Sequence, residues 1–383
     1  MLHGGEIYNS IEVRYDFSVN VNPLGIPENV LRSLRENLSL LTQYPDQECR
    51  KLRHALEKRT GVPAQQILCG NGASELIEAA VRGLQVSRIL LTAPSFSGYR
   101  HAAQSHGCEI LYHALRREEN FALTDRYLED LARKPDLAIL CSPSNPIGDR
   151  IDPDLLCRIA ETCESQGTWL MVDECFLGFL PDEDQRTMRR FLVPTASFQQ
   201  HQRLLVPSAS FQQFQRLLVP TASFQQYQRL LVLDAFTKRF AMPGIRLGYL
   251  MAADPEILER IHVQQPEWSV SIPAQIAGLA ALETGREYME TARALAASER
   301  ARMAAVLEKL GCRVFPGEAN YIFFSCKIEL YEPLLQRGIL IRSCDNYPGL
   351  EKGDYRVAVL RREENEVLLG ALTEILTAGY YER

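Results

Sequence analysis

No apolar run in this sequence approaches the ~18 residues that a membrane-spanning helix requires, so no membrane partner is expected. An excess of positive charge is also lacking. The 42 Lys and Arg residues stand against 48 Asp and Glu, for a net charge of -6. A nucleic-acid partner, which calls for a basic face, is therefore not expected. None of the ten cysteines forms C-x-x-C, and none of the seven histidines forms H-x-x-x-H. No metal site is expected from such a pattern. The cysteines sit scattered, several in apolar stretches, and read as small buried hydrophobes in a reducing compartment. The opening MLHGGEIYNS lacks the basic-then-apolar pattern of a secretory signal, so the cytoplasm is the expected location.

What is present is an ordinary globular composition, 46% hydrophobic and 23% charged, in 383 residues, enough for two or three domains. Short apolar runs at 88–92, 137–141, 168–172 and 230–233 read as buried strands. Helix-like periodicity at 74–84 and 154–166 lies between them. Alternating strands and helices predict an α/β chain with a mainly parallel sheet. From about Arg293 a long helical pattern mixes with short strands, such as 320–324, and predicts a smaller α+β part.

Residues 190–228 interrupt this order with a 13-residue tandem repeat: RFLVPTASFQQHQ, RLLVPSASFQQFQ, RLLVPTASFQQYQ. A fourth copy starts at Arg229 and diverges into LDAFTK. Ser-x-x-Gln in each copy is a capping-box spacing, and Pro194, Pro207 and Pro220 should stop any helix upstream. Only the Arg-Leu-Leu-Val at 229–232 leads onward into the core. A duplication tolerated in a surface connection is the simplest reading, because lengthening a loop costs little.

The chemistry-bearing residues are punctuated along the same order. Lys238 follows the strand at 230–233, a poor place for a solvated charge, and is trailed by Gly244, Arg246 and Gly248. A partly desolvated lysine can form an imine with a carbonyl, and an arginine can bind an anion in bidentate fashion. Asp173 ends an apolar run, where α/β sheets bind ligands. Asn145 lies in the turn Ser142-Pro-Ser-Asn145-Pro. Gly70-Asn-Gly72-Ala-Ser74 precedes a helical pattern, an arrangement of N–H groups and hydroxyl that can seat a phosphate. Phe96, after Pro94, could stack on a flat ring.

In order and spacing these motifs resemble the class I/II aminotransferase family of pyridoxal-phosphate (PLP) enzymes, over nearly the whole chain outside the repeat. The resemblance implies the fold-type I α/β architecture, with a mainly parallel seven-stranded sheet in a large domain at 33–251. A smaller α+β domain would comprise 1–32, with an N-terminal arm, and 252–383. It implies pyridoxal 5'-phosphate as cofactor, with Lys238 taking its aldehyde and Asp173 its ring nitrogen. Asn145 would bond the phenolic oxygen, and Phe96 would stack on the ring. Gly72, Ala73, Ser74, Thr237 and Arg246 would hold the phosphate. Tyr44 would reach that phosphate from a second subunit, implying a homodimer with shared active sites. Arg356 matches the family's carboxylate-binding arginine, and Arg342, Asn20 and His3 are candidates around a substrate phosphate.

Segments at 3–5, 16–25, 44–46, 265–270, 319–321, 339–350 and 355–358 narrow the resemblance, above all Arg342-Ser-Cys-Asp-Asn-Tyr-Pro-Gly-Leu350. They are similar to members that decarboxylate L-threonine O-3-phosphate in cobalamin biosynthesis, so a phosphorylated amino acid is the implied substrate. Aminotransferases of histidinol phosphate are next, and an inactive PLP-fold scaffold is a further alternative motivated by the repeat. Two departures stand out. Ala235 occupies a place where the family often has a phosphate-binding hydroxyl. Phe176 stands where the aminotransferases commonly have a tyrosine that bonds the phenolic oxygen.

Overall fold

A computed structural model of the chain describes residues 4–5, 7–8, 11–194 and 226–381. His3 and repeat residues 195–225, with their expected capping boxes, lie outside them. Among the described residues there are thirteen strands. In chain order they are β1 (Tyr15–Asp16), β2 (Ile67–Gly70), β3 (Arg88–Ala93), β4 (Glu109–Ala114), β5 (Leu137–Cys141), β6 (Trp169–Asp173) and β7 (Leu230–Ala235). There follow β8 (Gly248–Ala252), β9 (Arg313–Val314), β10 (Tyr321–Ser325), β11 (Ile339–Leu340), β12 (Arg342–Ser343) and β13 (Asp354–Ala358).

Seven of them form one sheet in the order β2-β8-β7-β6-β5-β3-β4. The strands from β7 to β4 run parallel, while β8 is antiparallel to both β2 and β7. The four runs singled out by apolarity are the four central parallel strands. They are buried on both faces, so they lack the polar alternation of a half-exposed strand. In β7, Leu230 and Val232 face one hydrophobic layer and Leu231 and Leu233 the other. The helices Gly72–Gly83 and Ser97–Ser105 contribute to the second layer, while Pro153–Gln166 contributes to the first. The last of these starts on Asp152, whose carboxylate accepts from the N–H groups of Asp154 and Leu155, with Pro153 in the first turn.

A second, antiparallel sheet has the order β12-β13-β10-β9 and packs against the 24-residue helix Arg286–Lys309 and the helix Arg362–Tyr381. That long helix begins seven residues earlier than the sequence pattern placed it. The N-terminal segment joins this part through the parallel pair β1 and β11. Among the described residues no helix is long and apolar enough to cross a membrane, and all ten cysteines are free.

The repeat leaves and re-enters the fold at one point. Gln226 Nε2 donates to the Leu192 carbonyl at 2.8 Å, and the Tyr227 N–H donates to the Phe191 carbonyl at 3.0 Å. The Phe191 and Tyr227 rings meet at 5.2 Å. Phe191, Leu192 and Val193, the first copy's version of the strand sequence, are buried beside the sheet as a turn rather than as an eighth strand. As expected, the copy at 229–232 enters β7, and the copies at 203–206 and 216–219 lie outside the described residues.

The segment after β7 is held by buried charge. Both terminal nitrogens of Arg239 donate to the Glu183 carboxylate, at 3.0 and 2.6 Å, and Arg293 from the long helix donates to it at 2.7 Å. Burial alone would raise the Glu183 pKa, but Arg239 and Arg189 outweigh it and hold the carboxyl well below its ordinary value. Glu183→Ala would leave several arginines without their shared anion in the interior. We expect it to lower stability by about 3–5 kcal/mol. Urea unfolding checks this, and a loss below about 1 kcal/mol would show that the cluster is not a support.

Candidate active site

The strands of the main sheet deliver their candidate residues at its carboxyl edge. Asp173 is the last residue of β6. Lys238 lies on the four-residue helix Phe236–Arg239 directly after β7. Phe96 and Asn145 follow β3 and β5, and Gly72 opens the helix after β2. Arg342 and Arg356 come from the second sheet, where they are paired opposite each other on β12 and β13. Together these elements enclose a cavity of about 460 Å³. Its lining includes Asn20, Ala73, Ser74, Phe96, Asn145, Asp173, Thr237, Lys238, Arg246, Arg342 and Arg356, all expected from the sequence.

Lys238 is fixed from behind. The Asn22 N–H donates to the Lys238 carbonyl at 3.0 Å, and the Asn22 amide donates to the Arg239 carbonyl at 2.8 Å. The side chain keeps partial exposure because it faces the cavity, yet its amine lies deep in the fold, 5.8 Å from the Phe176 ring centre. Burial lowers the amine's pKa to about 8. Arg356 and Arg246 push in the same direction, and Cys175 and Asp173 oppose them. A desolvated ammonium loses its proton more readily, which makes the amine a nucleophile near neutral pH.

Asp173 is buried, and both its oxygens are occupied. Oδ1 accepts from the Cys175 N–H at 3.0 Å and Oδ2 from the Tyr99 hydroxyl at 2.6 Å. Tyr99 also meets Phe96 edge-on at 5.4 Å. Burial, together with the Asp173 charge, raises its phenol pKa well above the ordinary value, so it remains a neutral donor. Opposite this pair, Gly72 (φ +80°) brings its backbone against Arg246. A Cβ there would lie 2.8 Å from an Arg246 terminal nitrogen. A Cβ on Gly248 would meet the Ala73 nitrogen at 2.9 Å. Only glycine permits either approach. The result is a concave seat of N–H groups at a helix start beside a guanidinium, which is chemistry for a phosphate.

These residues fit PLP: an amine for its aldehyde, a carboxylate for its ring nitrogen, an aromatic face, an amide and a phosphate seat. Ala235 also lines the cavity and supplies no hydroxyl, which leaves Thr237 as the lining hydroxyl on that segment. Phe176 packs edge-on against Tyr321 at 5.0 Å.

Arg342 and Arg356 are both buried, and among the described residues neither makes an ion pair. Arg356 donates to Asn145 Oδ1 at 2.5 Å and to the Ser18 carbonyl at 2.6 Å. With its oxygen turned inward, Asn20 accepts from Arg356 at 3.2 Å. Arg342 donates to the Ser343 carbonyl at 2.7 Å and to Asn346 Oδ1 at 2.8 Å. All of these acceptors are neutral.

Gly72 and Tyr44 are expected residues that do not line the cavity; Gly72 instead abuts Arg246 from behind the seat, and His3 is outside the described residues. Tyr44 is 79% exposed and leans on Trp268, with ring centres 4.9 Å apart. Conversely, Tyr99, Ser18, Cys141, Cys175 and Tyr347 line the cavity without having been singled out. Tyr99 was legible only as the residue one helical turn beyond Phe96, and Tyr347 lay within the string around Arg342.

A mainly parallel α/β sheet with this lysine, carboxylate and phosphate seat at its carboxyl edge defines a fold-type I PLP-dependent enzyme. The family described as aminotransferase class I and II matches residues 14–372, and the chain belongs to it. It is 36% identical to the threonine-phosphate decarboxylase of Salmonella typhimurium, over 98% of this chain and 96% of that one. It is 31% identical to a histidinol-phosphate aminotransferase of Desulfitobacterium hafniense, over 95% and 92% respectively. Its fold is similar to that of the Sinorhizobium meliloti histidinol-phosphate aminotransferase in complex with pyridoxal-5'-phosphate. The TM-score is 0.78 at 18% identity, with 96% of this chain and 92% of that one covered.

The lowered Lys238 pKa has a measurable sign. Below about pH 8 the amine is mostly protonated and cannot attack; above it, the neutral form dominates. The rate at which cofactor-free protein develops the visible absorbance of bound PLP should rise with pH and level off just above 8. A rate still climbing toward 10, as for a solvated lysine, would contradict the burial argument.

Proposed function

We propose that this protein decarboxylates L-threonine O-3-phosphate to (R)-1-amino-2-propanol O-phosphate, a step belonging to cobalamin biosynthesis. The observation that carries the substrate class is the pair of buried arginines facing each other across β12 and β13. Like charges directly opposite repel, and buried charge without a counter-charge is costly. A substrate with a carboxylate and a phosphate neutralises both. The 36% identity to a threonine-phosphate decarboxylase supports the reaction.

When bound, PLP supplies an electron sink for whichever Cα bond stands perpendicular to its ring. The chain's own residues decide which bond that is. Lys238 Nζ would hold the cofactor through its aldehyde, and Asp173, held by Tyr99 and the Cys175 N–H, would keep a proton on its ring nitrogen. Phe96 holds the ring face, and Gly72, Ala73, Ser74, Thr237 and Arg246 hold the cofactor phosphate. Asn145 uses its oxygen for Arg356, leaving its N–H groups for the phenolic oxygen, where Phe176 has nothing to donate. Arg356, backed by Asn20 and the Ser18 carbonyl, takes the substrate carboxylate, and Arg342 takes the substrate phosphate. Holding both ends fixes the torsion at Cα, and small displacements there redirect the reaction. Lys238 Nζ, whose pKa of about 8 lets it carry a proton at neutral pH, would be the group placed to hand one to the substrate Cα.

A second copy of the chain completes the proposal. Leu38, Leu41 and Tyr44 are 59%, 55% and 79% exposed on one short stretch. Covering them would bring Tyr44 toward the partner's phosphate seat.

PLP-loaded protein given phosphothreonine should release carbon dioxide without any added oxo acid. Release of no carbon dioxide, combined with 2-oxoglutarate-dependent turnover of histidinol phosphate, would replace this reading with the aminotransferase one. Arg356→Leu should lower kcat/KM by about 100-fold or more, because it removes a buried charged partner of the reacting carboxylate.

A further inference from the structure

The two arginines are held in different ways. Arg356 is gripped by Ser18, Asn20 and Asn145, residues distant from it in sequence. Among the described residues, the hydrogen bonds and ring contact of Arg342 come from its own loop. Its Nη1 donates to the Ser343 carbonyl, its Nη2 to Asn346 Oδ1, and its guanidinium carbon lies 5.1 Å from the centre of the Tyr347 ring. These contacts occupy two of its five N–H groups. Tyr347 lines the cavity and is itself buried. The loop that carries it is pinned. The Tyr347 N–H donates to the Cys344 carbonyl, and the Leu350 N–H donates to the Tyr347 carbonyl, both at 3.1 Å. Gly349 (φ +84°) packs this loop so close to the end of β3 that a Cβ would lie 3.2 Å from the Ala93 carbonyl oxygen.

We infer that Tyr347 is a specificity-determining positioning residue: its ring holds the Arg342 guanidinium so that the remaining N–H edge receives the phosphate of the substrate. This rests on the reading of the substrate as a phosphorylated amino acid. The ring acts through its π face, which attracts the cation without consuming a hydrogen-bond donor. A carboxylate in the same place would hold the arginine more tightly but cancel the charge that recruits the phosphate. Neutral partners fix the geometry and leave the charge uncompensated. The clamp is thus assembled before substrate arrives, which reduces the ordering cost of binding.

The test uses the PLP-loaded full chain and compares Tyr347→Phe with Tyr347→Leu. Phenylalanine keeps the π face, and leucine replaces it with aliphatic surface. Tyr347→Leu should raise the KM for phosphothreonine about three- to thirty-fold, the range expected for loss of a largely desolvated cation–π contact. It should lower kcat by less than it raises KM. Tyr347→Phe should stay within about two-fold of the parent in KM. Inorganic phosphate, titrated as a competitive ligand, should weaken in Tyr347→Leu by a similar factor, while a simple amino-acid carboxylate such as L-threonine should not. Equal loss in both variants would assign the effect to the hydroxyl and overturn the ring-based inference. Unchanged phosphate binding in Tyr347→Leu would overturn it as well. The phosphate titration is independent of the reaction catalysed, so it separates failure of this inference from failure of the decarboxylase reading.

Discussion

A lysine amine can be held in place at the floor of a cavity only if the backbone beneath it cannot yield. In this protein that demand falls on five residues, Ala235 to Arg239. The sheet fixes one end of the segment through β7. The Glu183–Arg239 pair and the Asn22 contacts fix the other. Arg239 is therefore as much a part of the site as its neighbour, although it points the opposite way. The same cluster recruits Arg293 from the long helix beside the second sheet. A single buried carboxylate thus fastens the lysine and the second sheet's supporting helix to one spot.

The cavity depends on both sheets. The main sheet provides the groups suited to the cofactor, and the antiparallel sheet provides the two cations suited to the substrate. Asn145 and Arg356 form a direct bridge, since the amide oxygen after β5 accepts from the guanidinium on β13, and the Tyr321 hydroxyl on β10 donates to the Ser144 carbonyl beside it. Shifting the antiparallel sheet would move the carboxylate clamp relative to the ring face set by Phe96. In an enzyme class where reaction type follows from a torsion, the packing of one sheet on another is part of the catalytic apparatus.

Much of this was legible in the sequence because the central strands are apolar on both faces, as parallel strands flanked by helices must be. Strands β5, β6 and β7 end in or just before Asn145, Asp173 and Lys238, so these residues stood out by position, and the order of the motifs, through the family resemblance, gave them their expected roles. The edge strands β2 and β4 were not singled out. They are short or half-exposed, and β4 alternates buried and exposed residues. The antiparallel β8 was hidden behind the Gly244–Gly248 motif. Tyr99 escaped because its partner is 74 residues distant in sequence and no local period connects the two. The Arg342–Arg356 opposition is a register property of β12 and β13, and register emerges only when the sheet is assembled.

The junction of the repeat with the fold bears on how such a sequence can persist. Its two stubs touch through Leu192, Gln226, Phe191 and Tyr227, immediately before β7 begins. Each 13-residue unit presents an equivalent glutamine and ring at its end: Gln200 and His201, Gln213 and Phe214, Gln226 and Tyr227. Gain or loss of whole units by slippage during replication would therefore regenerate the same clasp, with β7 in the same register. Copy number becomes a variable to which the catalytic strand is indifferent, so selection on the reaction has little hold over the length of the insertion.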